Sequence, residues 1–124
     1  MKEVPYSLRR WFIVHFVVDI IFGVPLLLFP IWTMELLGFS GVEVVTVRLV
    51  GAALLGIGGV SLWVRSEKRE VFLALLRLKL LWSGSAVIGL LLSIREGAPV
   101  VTWGVVVIFG LFFWLWGYYY KNMV

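Results

Sequence analysis

The chain contains four apolar stretches, each about as long as a helix that crosses a membrane. They cover residues 11–29, 42–64, 71–94 and 99–120. About 20 apolar residues in a helix cross the ~30 Å of hydrocarbon in a bilayer. Backbone N–H and C=O groups find no water there, so they must pair within the segment, as they do in a helix. No stretch alternates apolar and polar residues as barrel strands do. We therefore predict an all-α membrane protein.

Composition leads to the same class. The 124 residues are 62% hydrophobic and 15% charged, whereas soluble domains are about 45–50% apolar and about 25% charged. A soluble fold this short could not hide so many apolar side chains, because small domains leave a large share of their surface exposed. Cysteine is absent, which excludes disulfide scaffolds and cysteine metal sites. Scarce asparagine and glutamine point to a heat-loving source.

The predicted architecture is a single domain, residues 1–124, built as an up-down bundle of four transmembrane helices. These helices are expected over about residues 8–29, 41–65, 67–95 and 99–121. Ser40 and Glu43 match a capping box at the start of the second helix. Ser66 followed by Glu67 is expected to start the third helix, and Pro99 suits the first turn of the fourth helix.

Two prolines shape the end of the first predicted helix. Pro25 is expected to kink it and Pro30 to end it. The segment of about residues 31–38 then forms either a short interfacial helix or an ordered loop. Both interpretations fit the sequence equally well.

Basic residues in the connections predict the orientation. They precede the first helix, join the second to the third and follow the fourth: Lys2, Arg9, Arg10, Arg65, Lys68, Arg69 and Lys121. By the positive-inside rule, we expect a multi-pass protein of the cell membrane with cytoplasmic N and C termini. Because these charges lie at the ends of apolar runs, the net charge of +4 does not indicate a nucleic-acid partner.

The first helix carries two ionisable residues, His15 and Asp19, at membrane depth. Counted from Trp11 at 1.5 Å per residue, they lie about 6 and 12 Å below the cytoplasmic boundary. Arg77 and Lys79 of the third helix lie at about 9 and 12 Å. An ionised group within the bilayer costs roughly 2.5–3.5 kcal/mol, so Asp19 should face protein and find a partner. We predict an intramembrane polar cluster of these four residues.

Lys79 is the favoured partner of Asp19, with Arg77 as the alternative. The two cations are about 200° apart around their helix, so they cannot both face the first helix. Lys79 shares its face with small residues such as Ser83, which permit close packing. The favoured role of the cluster is a structural latch between the first and third helices. A small polar cavity for a proton, ion or lipid headgroup, and a protonated Asp19 without a charged partner, stay open as alternatives.

The second helix offers a cation near the outer surface and a set of small residues. Arg48 is expected to reach either a lipid headgroup phosphate or Glu43 on the outer side, although a role facing a pocket stays open. Small side chains let helix backbones approach each other closely. Those predicted to pack closely are Gly51, Ala52, Gly56 and Gly59.

No residue of the sequence is singled out as catalytic, although a serine such as Ser83, Ser85 or Ser93 could in principle use His15. One histidine cannot build a multi-histidine metal site, and no second carboxylate lies at the depth of Asp19. We predict no catalytic residue, metal or cofactor. The favoured function is a non-catalytic accessory or structural membrane protein. The alternatives are a small transporter or channel that uses His15 and Asp19, and a membrane enzyme or binder acting on a lipid or quinone. Expected partners are membrane lipids, further copies of the chain and an unidentified membrane protein.

Residues 22–66 carry a pattern of prolines, glycines and basic residues. Its features are Pro30, Leu37-Gly38, Arg48-Leu49, Gly51, Gly56, Gly58 and Arg65. This pattern resembles small prokaryotic four-helix integral membrane proteins of the DoxX-like and related uncharacterised families. The resemblance implies a compact four-helix bundle of mostly unknown function, with some relatives associated with membrane redox systems. No catalytic motif of those relatives is matched, so no functional residue is carried over.

Overall fold

The structure is a computed structural model that describes residues 3–124. Within this range the chain forms five helices and no strand. Four of the helices are long and apolar enough to cross a membrane. These are α1 (Tyr6–Leu28), α3 (Val44–Trp63), α4 (Arg69–Arg95) and α5 (Thr102–Met123), and a short helix, α2 (Pro30–Leu36), follows α1. The prediction of an all-α, multi-pass membrane protein is confirmed.

Helix α3 begins later than the sequence predicts. Its N-cap is Glu43, whose carboxylate accepts hydrogen bonds from the backbone N–H groups of Val45 at 2.9 Å and Thr46 at 2.8 Å. The predicted capping box at Ser40 is wrong, because Ser40 lies before Gly41, which has a φ of +64°, and outside the helix. The carboxylate expected to reach back to Ser40 instead caps the helix itself.

The later helices also begin a few residues after their predicted starts. Helix α4 begins at Arg69, with Lys68 as its N-cap, so Ser66 and Glu67 precede it. Pro99 lies in the turn before α5, where its carbonyl accepts the N–H of Thr102 at 2.9 Å. A proline fits this turn because it has no N–H to leave unpaired.

Helix α1 runs through Pro25 for almost one further turn, and the carbonyl of Pro25 accepts the N–H of Phe29 at 2.7 Å. Helix α2 then starts with Pro30 at its first position, where a proline is well tolerated. The interfacial-helix interpretation of residues 31–38 is thus the correct one as regards secondary structure. Its exposed apolar side chains, Trp32 at 61% and Leu36 at 70%, suit a helix at a membrane surface.

The chain forms two compact units, each a helical hairpin. The first hairpin spans Pro5–Glu67 and the second contains Lys68–Val124. In the first, Nη1 of Arg9 at the start of α1 donates to the carbonyl oxygen of Arg65, just after α3, at 2.6 Å. In the second, Arg69 at the start of α4 donates to the carbonyl oxygen of Met123 at the end of α5. Each hairpin therefore pairs two antiparallel membrane-length helices.

Buried residues on the first hairpin recur at intervals of three and four. On α3 they are Val47, Gly51, Leu54, Gly58 and Ser61, and on α1 they are Leu8, Phe12, His15, Asp19, Gly23 and Leu26. This spacing is the seven-residue repeat of packed helix pairs. It includes a stripe of His15, Asp19, Gly23 and Leu26 on α1, so Asp19 does face protein, as the sequence predicts.

Large apolar side chains cover the outer faces of the long helices. Ile21 is 60% exposed, Leu49 65%, Leu81 71% and Leu111 63%. Exposure of large apolar side chains is unfavourable in water and normal in contact with lipid tails.

Candidate functional site

The polar centre of the first hairpin is His15 and Asp19 on the buried face of α1. Positions four apart on a helix lie on the same face, and Nε2 of His15 lies 3.4 Å from Oδ2 of Asp19. Each residue is only 4% exposed. Two titratable groups are thus held in contact on the buried face of a membrane-length helix.

Helix α3 packs against Asp19 at Gly58. A Cβ atom built on Gly58 would lie 2.5 Å from the Cβ of Asp19, nearer than real side chains approach. Gly51 makes a similar contact further along, where its Cβ would lie 2.9 Å from the carbonyl oxygen of Gly23 and 2.8 Å from the backbone nitrogen of Leu27. Because Gly51 and Gly58 have no side chain, α1 and α3 can pack closely at these two positions.

The four small residues predicted to pack closely differ in their surroundings. Gly51 lies against α1, as described above. Ala52 and Gly56 are exposed, and nothing lies within 4 Å of a Cβ built on Gly56 or Gly59. Gly58, a further glycine of this helix, does lie against α1. It follows Gly51 by seven residues and therefore shares its face.

In the second hairpin, Lys79 is the buried cation, only 1% exposed. Its Nζ lies 5.0 Å from the ring centroid of Trp116, within the range of a cation–π interaction. One turn further on, Oγ of the buried Ser83 donates to the Lys79 carbonyl at 2.6 Å. The α4 residue expected to face inward is thus indeed buried.

Arg77 is exposed and turns to another aromatic residue. Its Nε donates to the hydroxyl of Tyr120 at 3.3 Å, and its guanidinium carbon lies 5.7 Å from the centroid of that ring. The different faces of Arg77 and Lys79 agree with their 200° separation. The pairing of Asp19 with either cation stays a prediction.

Arg48 and Glu43 have separate partners in the first hairpin. Nε of Arg48 donates to the carbonyl oxygen of Leu27 at 3.1 Å, in the last turn of α1. Carbonyls there lack partners within the helix, and a cation near a helix C-terminus is favourable. Glu43 is occupied as the cap of α3, and hydrogen bonds from the backbone of Val45 and from Thr46 lower its pKa below the ordinary 4.5. A headgroup contact by Arg48 or Glu43 stays a prediction.

An apolar groove of about 320 Å³ lies on the first hairpin. It is lined by Leu26, Met34, Val42, Glu43, Thr46, Val47 and Val50. Neither His15 nor Asp19 lines it. Across residues 3–124, no three His, Cys, Asp or Glu side chains are grouped so that they could hold a metal ion.

In comparisons with known proteins, no family model matches this chain, and no curated protein or solved structure shows significant similarity to it. The resemblance of residues 22–66 to DoxX-like proteins stays a prediction.

Proposed function

We propose that this chain is a non-catalytic accessory or structural protein of the cell membrane. The observation that supports this most is the environment of its buried ionisable groups. His15 and Asp19 contact each other, Gly58 packs against Asp19, and Lys79 lies over the ring of Trp116. Within their own hairpins these groups meet close-packed partners, as expected when polar residues fix helix packing.

We propose an orientation with both termini in the cytoplasm. Support comes from where the basic residues lie in each hairpin. Arg9 and Arg65 meet at one end of the first hairpin, and Arg69 lies beside the C-terminal end of α5 in the second. The positive-inside rule assigns such ends to the cytoplasm. A reporter that works only in the cytoplasm should be active when it is fused to the C-terminus. A reporter that works only outside the cytoplasm should be inactive there.

We propose that copies of the chain associate in the membrane. The exposed small residues Ala52 and Gly56 on α3 leave a shallow face on which another helix could pack closely. Native mass spectrometry from a gentle detergent should show more than one copy per particle, and it would also reveal an associated membrane protein. A particle with one copy and no protein partner would contradict this proposal.

A heat-loving source, which the scarcity of asparagine and glutamine suggests, stays a prediction.

The structural role is tested by comparing stability with transport in one set of variants. Wild type, Asp19→Asn and the control Glu96→Gln, which removes an exposed carboxylate, are reconstituted in liposomes containing a pH dye. We expect equal proton flux in all three and a lower thermal midpoint for Asp19→Asn only. Flux in the wild type that Asp19→Asn abolishes, with no change in the midpoint, would contradict the structural role.

A small proton or ion transporter is the second candidate function. The observation in its favour is the contact between two titratable groups, His15 and Asp19, that are both buried in a membrane-length helix. Ionisable residues in such helices often mark ion pathways. The liposome experiment separates the two functions, because only a transporter loses flux with Asp19.

A further inference from the structure

We propose that Arg77 and Tyr120, which meet on the surface of the second hairpin, bind the phosphate group of a phospholipid. This goes beyond the proposed function, because a structural protein needs no particular lipid at a particular place. Such a site requires only that the hairpin lies in a bilayer. Both orientations of the chain allow it, because both leaflets contain phospholipids.

Arg77 and Tyr120 present unused hydrogen-bond donors side by side. Nε of Arg77 donates to the hydroxyl oxygen of Tyr120 at 3.3 Å, so the hydroxyl still has its own proton to donate. Within residues 3–124, neither this proton nor the terminal guanidinium nitrogens have an acceptor. The pair therefore offers a planar guanidinium fork and an O–H group, which suit the several acceptor oxygens of a phosphate.

The direction of the side chains explains why these two residues meet. The helices of the hairpin are antiparallel, with Arg69 at the start of α4 beside Met123 at the end of α5. From these ends, Arg77 lies about 12 Å along α4 and Tyr120 about 4.5 Å along α5. Side chains on a helix lean toward its N-terminus. The arginine thus leans back toward this end of the hairpin and the tyrosine leans inward, so the guanidinium and the hydroxyl meet between the two levels.

The level of the guanidinium corresponds to the boundary between acyl chains and headgroups. Helix α4 has 27 residues and spans about 40 Å, which exceeds the ~30 Å of hydrocarbon. Centred in the bilayer, it projects about 5 Å at each end, so the α-carbon of Arg77 lies about 7 Å within the hydrocarbon. A side chain that snorkels toward the helix start carries the guanidinium to the boundary.

An exposed arginine at this depth requires an anionic partner, because an uncompensated cation in the bilayer is costly. Arg77 is exposed, and its hydrogen-bond partner and aromatic contact in the described range are both Tyr120, an uncharged residue. Glu70 shares its face seven residues nearer the helix start. In the part of the chain that the structure describes, these two side chains form no ion pair.

A lipid phosphate fits this position better than a carboxylate of a second copy. The carboxylates at this end of the chain lie before the helices or in the first turn of α4: Glu3, Glu67 and Glu70. A second copy packed alongside in the same orientation therefore holds its carboxylates nearer the water than the guanidinium of Arg77. Every neighbouring phospholipid, in contrast, has a phosphate close to the boundary.

The phosphate contact is tested by native mass spectrometry of delipidated protein with added phosphatidylethanolamine. We expect the wild type to retain the lipid and Arg77→Gln to retain it about tenfold more weakly, since a charge-assisted contact is lost. Tyr120→Phe keeps the ring and removes the hydroxyl. Its retention should be about threefold weaker, because the lost hydrogen bond is a neutral one.

Each variant has a matched control at the same end of the hairpin. Lys121→Gln removes an exposed charge next to Tyr120 in the chain. Tyr118→Phe removes the hydroxyl of an exposed tyrosine about 200° around α5 from Tyr120. Both controls should retain the lipid as the wild type does. If Arg77→Gln fails to fold, Arg77→Lys takes its place; it keeps the charge, loses the planar fork and should bind more weakly than the wild type.

Four outcomes would overturn the proposal. One is equal retention by Arg77→Gln and the wild type. Another is an equal loss in Lys121→Gln and Arg77→Gln, which would indicate general attraction between a basic helix end and the lipid. The third is equal retention of a diacylglycerol with the same acyl chains, because that lipid lacks the phosphate. The fourth is loss of self-association in Arg77→Gln with the lipid retained, which would identify a second copy as the partner of Arg77 instead.

Discussion

Gly58 lies against Asp19 so closely that a Cβ on the glycine would come within 2.5 Å of the Cβ of the aspartate. The backbone of α3 therefore covers the carboxylate-bearing residue of α1 directly. Gly56, two residues away on the same helix, has nothing within 4 Å of its Cβ position. These two glycines differ in surroundings and not in chemistry, which makes them a matched pair for experiment.

Gly58→Ala should destabilise the first hairpin. The added methyl group meets the Asp19 Cβ, which cannot move without shifting α1, and overpacking of this kind costs about 1–3 kcal/mol. The free energy of unfolding, measured in bicelles with a mild denaturant, checks this.

Gly56→Ala is the control for that measurement. No other part of the chain lies within 4 Å of its methyl position. Measured on single chains, so that contacts between copies play no part, its free energy of unfolding should stay within about 0.5 kcal/mol of the wild type or rise. Equal destabilisation by Gly56→Ala and Gly58→Ala would mean that the close approach of Gly58 to Asp19 does not determine the free energy of unfolding.

Glu43 should make the first turn of α3 sensitive to acid. Its pKa is lowered in the folded chain by hydrogen bonds from Val45 and Thr46, so the folded state favours the ionised form. The stabilisation is present above the ordinary pKa of 4.5 and is lost as the pH falls through the lowered value. Hydrogen exchange at the Val45 and Thr46 amides, followed below about pH 4.5, should report this opening.

Glu43→Gln should remove most of that acid sensitivity, because glutamine stays neutral at every pH. Glu35→Gln is the control, since its side chain caps no helix. An unchanged acid response in Glu43→Gln would refute the capping role.

The contact between Lys79 and Trp116 should stabilise the second hairpin. A cation over an aromatic ring contributes about 0.5–2 kcal/mol, with the higher values in dry sites. A double-mutant cycle with Lys79→Met and Trp116→Leu should give a coupling energy in that range. Trp114→Leu, which changes a 67% exposed tryptophan on the same helix, should show no coupling to Lys79→Met. A coupling energy of zero between Lys79→Met and Trp116→Leu would contradict the cation–π contact.

The helices and the buried face of α1 could be predicted from sequence because hydrocarbon imposes strict conditions. Length and apolarity identify each membrane helix, and the cost of burying Asp19 forces its stripe toward protein. Helix geometry also predicts that Lys79 and Arg77 lie on different faces of α4, because two residues along a helix correspond to about 200° of rotation.

The choice of packing glycines and the exact helix starts could not be predicted in the same way. Gly56, Gly58 and Gly59 are chemically equal, and only the rotation of α3 against α1 decides which of them meets Asp19. Near Ser40 and Glu43 the same motif allows two starts for the helix. The start observed is the one at which the Glu43 carboxylate reaches two free N–H groups directly.

The central claim is that His15 and Asp19 stabilise the first hairpin through their mutual contact. A double-mutant cycle of His15→Gln and Asp19→Asn, measured as free energy of unfolding in bicelles, tests it most directly. We predict a favourable coupling energy of about 0.5 kcal/mol, the order of magnitude found for side-chain pairs four residues apart on a helix and, on average, for polar contacts in membrane proteins. A coupling energy of zero, with each single variant as stable as the wild type, would contradict the claim.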